Sequence, residues 1–153
     1  MQNKIILASK SKVRKEILDK NNINCEVKPS NVDEDVIKDS LIKEKTSPEI
    51  ISKNLAELKA NKVSLNQSDQ LVLGADSVID LDGELISKPR DRQNAFMILK
   101  KLNGRKHNLI SSVCISKNGS MIWNHTEKAS LMMKNFSDDE LNKYLLKITD
   151  EAL

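Results

Sequence analysis

The residues of this sequence that could carry chemistry are hydroxyls, cations and carboxylates near the ends of predicted elements. Ser9, Ser11 and Arg14 lie between a predicted first strand and a predicted first helix. In such a turn, free backbone N–H groups and the helix dipole favour an anion, hydroxyls add donors, and a guanidinium can close on phosphate oxygens. The same residues also fit a plain helix cap with a solvated arginine, which is the commoner case for this segment alone.

Carboxylates occur at two further places. Asp76 follows the apolar run 71–75, and this predicts that it sits where a buried strand ends, the position at which open α/β sheets bind ligands. Such a carboxylate can hold Mg²⁺ or accept a proton from a water that attacks phosphorus. A purely structural role for Asp76 fits the sequence equally well. Asp33, Glu34 and Asp35 are predicted to form an acidic loop, and Asp33 and Asp35 fit a solvated turn.

Two lysines could complete a phosphate site. Lys59 lies on the polar side of a predicted helix, and Lys88 lies in an extended Ser-Lys-Pro segment. Each alone is typical of a surface charge. Together with Arg14 they could neutralise a triphosphate while a metal bridges its oxygens. Only the fold can bring these three cations together.

Other kinds of site find less support. His107 and His125 have no helical partner or carboxylate at ligand spacing, so we interpret both as structural. Cys25 and Cys114 lie far apart among apolar neighbours and are predicted to be buried, reduced thiols rather than zinc ligands. The glycine-rich loops of Rossmann and Walker phosphate sites do not occur in the sequence.

Length and composition narrow the class of protein. The chain has 153 residues, of which 39% are hydrophobic, 31% charged and 3% aromatic, as expected for one soluble globular domain. No apolar run approaches the roughly 20 residues needed to cross a bilayer, so we expect no membrane association and a cytoplasmic location. The net charge of +3 is spread along the chain. This spread, with so few aromatic residues, argues against nucleic acid as a partner but suits a small polyanion.

The first half of the chain predicts alternating strands and helices. Residues 4–8 predict a buried strand, and Ser9–Ser11 predict the cap of a helix over about residues 12–20. A second strand over 23–27 precedes the acidic loop 31–35. Residues 46–49 supply a cap, a first-turn proline and a capping-box glutamate for a helix that runs to about residue 63. The residues predicted to face inward are Val13, Ile17 and Leu18 in the first helix, and Ile51, Leu55 and Leu58 in the second.

The second half predicts hairpins beside further helices. A short strand over 71–73 is followed by a tight hairpin at Asp82-Gly83, and a second tight turn is predicted at Asn118-Gly119. A helix starts at Asp91 and stops at Asn103-Gly104, and a last helix starts at a capping box over 137–140. The last helix is predicted to bury Leu141, Tyr144, Leu145 and Ile148. The hairpins require antiparallel pairs beside the crossover units, so the pattern predicts an α/β domain with a mixed sheet.

Five segments, taken in order, resemble successive motifs of the Maf family of nucleoside triphosphate pyrophosphatases. They are LASKSKVR at 7–14, LAELKA at 55–60, GADS at 74–77, SKP at 87–89 and LNGRKH at 102–107. Five motifs in the right order are far more specific than any one of them. The resemblance implies an α/β fold with a Maf/ITPase-like mixed sheet and flanking helices, as a single domain over 1–153. It also implies that the usual C-terminal segment of about 40 residues is absent.

The resemblance implies an activity as well. A hydrolase of this family acts on acid anhydrides and splits a nucleoside triphosphate, here expected to be noncanonical or modified, into a monophosphate and pyrophosphate. Mg²⁺ or another divalent cation is the implied cofactor, and a homodimer is the implied assembly. Asp76 corresponds to the proton acceptor and, with Glu34, to the metal ligands. The positions that correspond to substrate-binding residues are Ser9, Ser11, Arg14, Lys59, Ser77 and Lys88.

Two departures from the family pattern affect what can be transferred. Val13 stands where the family usually has an arginine linked to base selection, and Ser77 stands where Thr or Gln is common. The preferred base therefore cannot be taken from any subgroup. The alternatives to an enzyme are a nucleotide-binding regulatory protein with little catalysis and a degenerate product that folds poorly.

Overall fold

Helices and strands alternate along the chain in a computed structural model that describes residues 4–148. The strands are β1 (Ile5–Leu7), β2 (Cys25–Val27), β3 (Val72–Leu81), β4 (Glu84–Ile86), β5 (Lys106–Lys117) and β6 (Ser120–Met132). The helices are α1 (Lys12–Lys20), α2 (Glu34–Lys43), α3 (Pro48–Ser64), α4 (Arg92–Leu102) and α5 (Asp138–Leu146).

The strands are hydrogen-bonded in the order β2-β1-β3-β5-β6, and β4 pairs with β3. β1 runs parallel to both β2 and β3, because α1 and then a longer crossover reverse the chain between these strands. β4 is antiparallel to β3, with Leu81 opposite Glu84 across the Asp82-Gly83 turn. The predicted α/β mixed sheet is confirmed.

The described residues form two compact units, the first from residues 4–77 and 111–127 and the second from residues 78–110 and 128–148. Strands β3, β5 and β6 contribute to both units. None of the helices in the described part of the chain is long and apolar enough to cross a membrane.

The first unit buries its core between α3 and the sheet. α3 starts at the N-cap Ser47, whose hydroxyl accepts a hydrogen bond from the backbone N–H of Ile50, and Pro48 occupies the first turn. The cap is therefore Ser47 rather than Thr46, so Glu49 is not three residues beyond it, and the predicted capping box at this helix is wrong. The apolar residues of this core are Ile6, Ala8, Ala56, Ala60, Val63, Val72 and Cys114.

The second unit is held by a smaller core of Leu81, Ile86 and Leu102, against which Ile79, Ile98 and Met133 pack. Both Asp82 and Gly83 have positive φ, as the two central residues of a tight hairpin turn require. At α5, Ser137 and Glu140 form the predicted capping box. Tyr144 is exposed, contrary to the prediction, whereas Leu141 and Leu145 are buried.

Some predicted inward faces do not point inward. Val13 and Ile17 are 63% and 52% exposed, because α1 contacts the three-residue β2 at the end of the strand order, which is too short to cover its apolar side. Leu58 is 42% exposed. The buried side of α3 passes through residues 51, 52, 55, 56, 59, 60 and 63, so the helix turns Leu58 towards solvent.

Candidate active site

Helix α3 approaches β3 closely because small residues face each other there. A Cβ atom added at Gly74 would collide with the carbonyl oxygen of Ala56 and would lie 2.9 Å from the Cβ of Ala60. The same carbonyl of Ala56 accepts a hydrogen bond from the Cys114 thiol on β5, at 3.2 Å. The backbone of α3 thus lies against the sheet, and polar side chains of the helix can reach β3.

Lys59 projects from α3 into this contact and is 5% exposed. Its Nζ lies 2.5 Å from Glu34 Oε1 and 3.3 Å from Asp76 Oδ1, and it donates to the carbonyl oxygen of Ala75 at 3.2 Å. An ammonium group has three N–H donors, so these contacts use all of them. The structure therefore brings together three predicted site residues, Glu34, Lys59 and Asp76, from three different elements.

Asp76 lies inside β3, so the prediction that a strand ends there is wrong. β3 continues to Leu81 because it goes on to pair with β4 and β5. Its parallel neighbour β1, however, ends at Leu7, which is paired with Leu73. Asp76 therefore lies just beyond the parallel part of the sheet, where the end of β1 leaves one edge of β3 uncovered.

The environment of Asp76 changes the acidity of its carboxyl. The side chain is buried, and this burial raises its pKa, while the charges of Lys59 and Lys38 and the hydrogen bond from Lys59 oppose the rise. Its Oδ2 is buried without a hydrogen-bond partner among residues 4–148. The pKa stays above its usual range, so Asp76 is a better proton acceptor than an ordinary aspartate and has one open oxygen.

Glu34 belongs to a helix, so the predicted acidic loop is wrong for Glu34 and Asp35. Asp33 is the N-cap of α2, and its Oδ1 accepts from the backbone N–H of Val36 at 3.3 Å. Glu34 and Asp35 lie in the first turn, where their negative charges stabilise the helix by interacting with the positive end of its dipole. The helix lacks a strong apolar stripe, since all ten of its residues are described and none is buried.

Charge interactions decide the acidity of Glu34. Burial pushes its pKa up, but the hydrogen bond and charge of Lys59, together with the charges of Lys38 and Arg14, outweigh burial and leave the pKa below its usual range. Upstream of α2, Lys62 donates to the carbonyl oxygen of Asn31 at 3.1 Å and fixes the loop that leads into Glu34. The two carboxyls bound to Lys59 thus have pKa values shifted in opposite directions.

The serines and the arginine after β1 form a second cluster. Ser9 is buried, and its Oγ accepts from the Arg14 guanidinium at 3.0 Å and from the backbone N–H of Ser11 at 3.2 Å. Ser11 is the N-cap of α1 and accepts from the backbone N–H of Arg14 at 3.3 Å. Because the Arg14 charge lowers the pKa of Glu34, this cluster lies within electrostatic reach of the first.

The remaining two predicted residues are placed elsewhere. Ser77 follows Asp76 on β3, so its side chain points to the opposite face of the strand, where its hydroxyl is 3.0 Å from the hydroxyl of Ser111. Lys88 is exposed and lies in the extended segment between β4 and α4, in the second unit. Among residues 4–148, the Ser77 side chain makes no hydrogen bond with Lys59 or Asp76. The substrate-binding roles of Ser77 and Lys88 stay predictions.

Glu34 and Asp76 fit the chemistry of a divalent cation. Mg²⁺ is usually held by one or two carboxylates, with water and substrate phosphates completing its coordination. Asp76 Oδ2 is buried and has no hydrogen-bond partner among residues 4–148, and Glu34 contacts the same lysine as Asp76. No group of three or more His, Cys, Asp or Glu side chains that could hold a metal ion occurs among the described residues. The protein would therefore supply these two carboxylates, and water and substrate would supply the rest.

Sequence reasoning missed three residues that shape this site. Gly74 permits the close approach of α3, and Ser52 donates from α3 to the carbonyl oxygen of Asp76 at 3.1 Å. Lys38 carries a charge that acts on both carboxyls. The seven-residue spacing of Ser52 and Lys59 places both on one helix face and is a signal for Ser52. Lys38 could be found only after α2 itself was recognised.

Comparison with known proteins identifies the family of the chain. The family model described as "Maf-like protein" matches residues 4–152. A relative from Pelagibacter ubique named "Nucleoside triphosphate pyrophosphatase" is 65% identical over 153 residues, covering 100% of this chain and 78% of the relative. A relative from Rhizobium meliloti named "7-methyl-GTP pyrophosphatase" is 32% identical over 153 residues, covering 100% of this chain and 77% of the relative.

The fold has a counterpart among solved structures. A HAM1 protein from Coxiella burnetii superimposes with a TM-score of 0.53 at 13% sequence identity, covering 84% of this chain and 70% of that one. At this identity the likeness concerns the fold alone, and it agrees with the mixed sheet and its helices. The family model matches nearly the whole chain, and both relatives align with it along its full length. The chain therefore belongs to the Maf family.

Proposed function

We propose that the chain is a nucleoside triphosphate pyrophosphatase that hydrolyses its substrate to a nucleoside monophosphate and pyrophosphate. Family membership supports the reaction class. The observation that carries the proposal is Asp76, a buried carboxylate with a raised pKa and an unpartnered Oδ2, held against the Lys59 ammonium. A proton acceptor beside a cation is what hydrolysis of a phosphoanhydride requires.

In this reaction Asp76 takes a proton from water. The water oxygen forms a bond to the α-phosphorus while the bond from that phosphorus to the oxygen shared with the β-phosphorus breaks. The electron pair of the broken bond leaves with pyrophosphate. Because Asp76 is buried next to Lys59, its carboxylate is held in place before the water attacks, so little reorganisation is needed.

Cations and hydroxyls then have to stabilise the phosphate charge. We propose that Arg14 binds phosphate oxygens, and that Lys59 does so by exchanging one of its three present contacts for a phosphate oxygen. Ser9 and Ser11 present the start of α1 to the anion. The Arg14 guanidinium already donates to Ser9, so its position is fixed before substrate arrives. Ser77 and Lys88 are proposed as further substrate-binding residues on the family pattern alone.

The proposed cofactor is Mg²⁺ or another divalent cation, held by Glu34 and Asp76. When bound, it would neutralise charge on the phosphate oxygens. Its carboxylate ligands are the two groups that Lys59 contacts in the structure. The single positive charge of Lys59 therefore offsets part of the negative charge of this carboxylate pair.

A modified nucleotide is the proposed substrate class. One relative in the family is named for 7-methyl-GTP, and Val13, next to Arg14, replaces a charged side chain of the family pattern with an exposed apolar one. We also propose that the chain forms a homodimer, which light scattering after size-exclusion chromatography tests.

The proposal is tested by measuring pyrophosphate release from a panel of standard and modified nucleoside triphosphates. We expect Asp76→Asn to lower the rate by about 10²–10⁴-fold, because the amide cannot accept the proton. Asp39→Asn is the matched control, because Asp39 is an exposed carboxylate on α2, and its rate should equal that of the wild type. Equal turnover by Asp76→Asn would contradict the proposed role. Nucleotide binding by the wild type without any pyrophosphate release would instead favour the regulatory alternative.

A further inference from the structure

Lys38 occupies a position that the family motifs do not mark. It lies on α2, one helical turn after Glu34, so the two side chains share a face of the helix. Lys38 is half-buried. Glu34 contacts Lys59, and Lys59 contacts Asp76, so the shared face of α2 is the one directed at the carboxylate pair. In agreement with this placement, the Lys38 charge lowers the pKa of both Glu34 and Asp76.

The amine of Lys38 differs from that of Lys59 in what it binds. Lys59 uses its three donors on Glu34, Asp76 and the carbonyl oxygen of Ala75. Within residues 4–148, the Lys38 side chain makes no hydrogen bond and no ion pair. The ammonium of this half-buried residue acts on the carboxylate pair without contacting it, so all three of its donors are open for a ligand.

Charge balance supports the same role for Lys38. Lys38 and Lys59 act on both carboxylates, and Arg14 acts on Glu34, so three cations against two anions leave one net positive charge. Each of the three cations is needed for this excess, which makes the cluster attractive to a polyanion. Arg14 already donates to Ser9, and Lys59 contacts both carboxylates, so Lys38 is the cation of the three whose side chain is not held by another group among residues 4–148.

We propose that Lys38 is a substrate-binding residue whose ammonium group binds the phosphate chain of the nucleotide beside the Glu34–Lys59–Asp76 cluster. The inference rests on the proposed function for its substrate class. A lysine suits this position because its ammonium is a point charge on a flexible stem and can follow a phosphate chain without a fixed bidentate geometry.

Calorimetric titration with inorganic tripolyphosphate in the presence of Mg²⁺ tests the proposal without turnover. We expect Lys38→Met to weaken binding about tenfold, the loss of one charged hydrogen bond, while Lys38→Arg keeps most of the affinity. The control is Lys43→Met, which removes an exposed charge from the last turn of the same helix and should bind like the wild type. Thermal melts check that each variant is folded, and Lys38→Gln replaces Lys38→Met if the latter is not.

The outcomes separate this inference from the proposed function. Unchanged tripolyphosphate affinity in Lys38→Met or Lys38→Gln would overturn the role of Lys38, even if the wild type releases pyrophosphate. An equal loss in Lys43→Met would also overturn it, because the effect would then be one of general charge. If the affinity falls only at Lys38 but no nucleoside triphosphate is hydrolysed, the binding role holds and the proposed reaction fails.

Discussion

Gly74 on β3 faces the carbonyl oxygen of Ala56 on α3 with no room for a side chain between them. This contact sets the distance between helix and strand, and therefore whether Lys59 can reach Asp76. The two residues have no chemistry of their own, yet the geometry of the proposed site depends on them.

Replacing Gly74 with alanine should disrupt both stability and activity. The added methyl group collides with backbone of α3 rather than with a flexible side chain, so we expect a loss of about 1–3 kcal/mol in the free energy of unfolding. Urea denaturation measures this loss, and pyrophosphate release below the unfolding transition should fall as well. Gly83→Ala is the contrasting control. Gly83 has a positive φ of 91° but open space around it, so that variant should lose stability and keep its activity.

Removing the Lys59 ammonium should destabilise the fold strongly at neutral pH. Lys59→Met leaves the buried Asp76 and the half-buried Glu34 without their shared cation, and a broken buried pair costs about 3–5 kcal/mol. Lys53→Met, on the same helix, removes only an exposed pair with Glu49 and should cost at most about 1 kcal/mol. Chemical denaturation of both variants makes the comparison, and similar losses would contradict the burial argument.

Local signals allowed much of the fold to be predicted. Pro48 after the Ser47 cap, the Asp82-Gly83 turn and the Ser137–Glu140 capping box all specify backbone geometry within four residues. Each of these elements starts or turns where the sequence indicates, although the predicted capping box at α3 is wrong. Signals of this kind need no knowledge of the tertiary contacts.

The errors arose where distant contacts decide the structure. The length of β3 depends on its pairing with β4 and β5, and the exposure of Val13 depends on how little of the sheet lies beneath α1. The sequence does not predict α2, because this helix is stabilised by its N-cap and first-turn charges rather than by a buried apolar stripe. No short window of sequence contains the strand pairing or the packing of α1, and the local cap of α2 at Asp33 is not detected by hydrophobic periodicity.

The candidate site was predictable in part. The family motifs pointed to Glu34, Lys59 and Asp76, and the structure brings these three together. Lys38 contributes through its place on the face of α2 that also carries Glu34, and Ser52 contributes through its hydrogen bond to the backbone of β3. Motifs compared one by one do not reveal either contribution. The positions of Ser77 and Lys88 relative to substrate stay predictions.

Opposite pKa shifts predict opposite effects of two conservative substitutions on stability. The pKa of Asp76 is raised, so its ionisation costs stability as the pH rises above the pKa of the unfolded chain. Asp76→Asn should therefore have a higher Tm than the wild type at neutral pH. This gain should disappear at acid pH, where Asp76 is protonated in both the folded and the unfolded states.

The pKa of Glu34 is lowered, so its ionised form contributes stability that is present above the unfolded pKa and lost as the pH falls through the folded pKa. Glu34→Gln should lower Tm at neutral pH, and the difference should shrink in acid. Melting curves of both variants from about pH 3 to about pH 8 span the usual carboxyl range. A decrease in Tm for both substitutions at neutral pH would contradict the assigned shifts.

The thiol of Cys114 should be unreactive in the native protein. Burial, with a contribution from the Glu57 charge, raises its pKa to about 11, and its S–H donates to Ala56. We expect an aromatic disulfide reagent at about pH 8 to label Cys114 only when the chain unfolds. Cys25 is also buried and unpaired, so a Cys25→Ser background isolates the signal. Rapid labelling of that variant without denaturant would contradict the buried contact.

Helix α2 belongs to the first unit and has no buried residue along its length. Asp76 and Lys59, in contrast, belong to the tightly packed contact of α3 with the sheet. Elements with so little buried surface open at small free-energy cost, independently of the rest of the domain. Glu34 and Lys38 therefore belong to the part of the candidate site with the lower free-energy cost of opening, and Asp76 and Lys59 to the part with the higher cost. Local opening of α2 would separate Glu34 from Lys59 while α3 stays packed against the sheet.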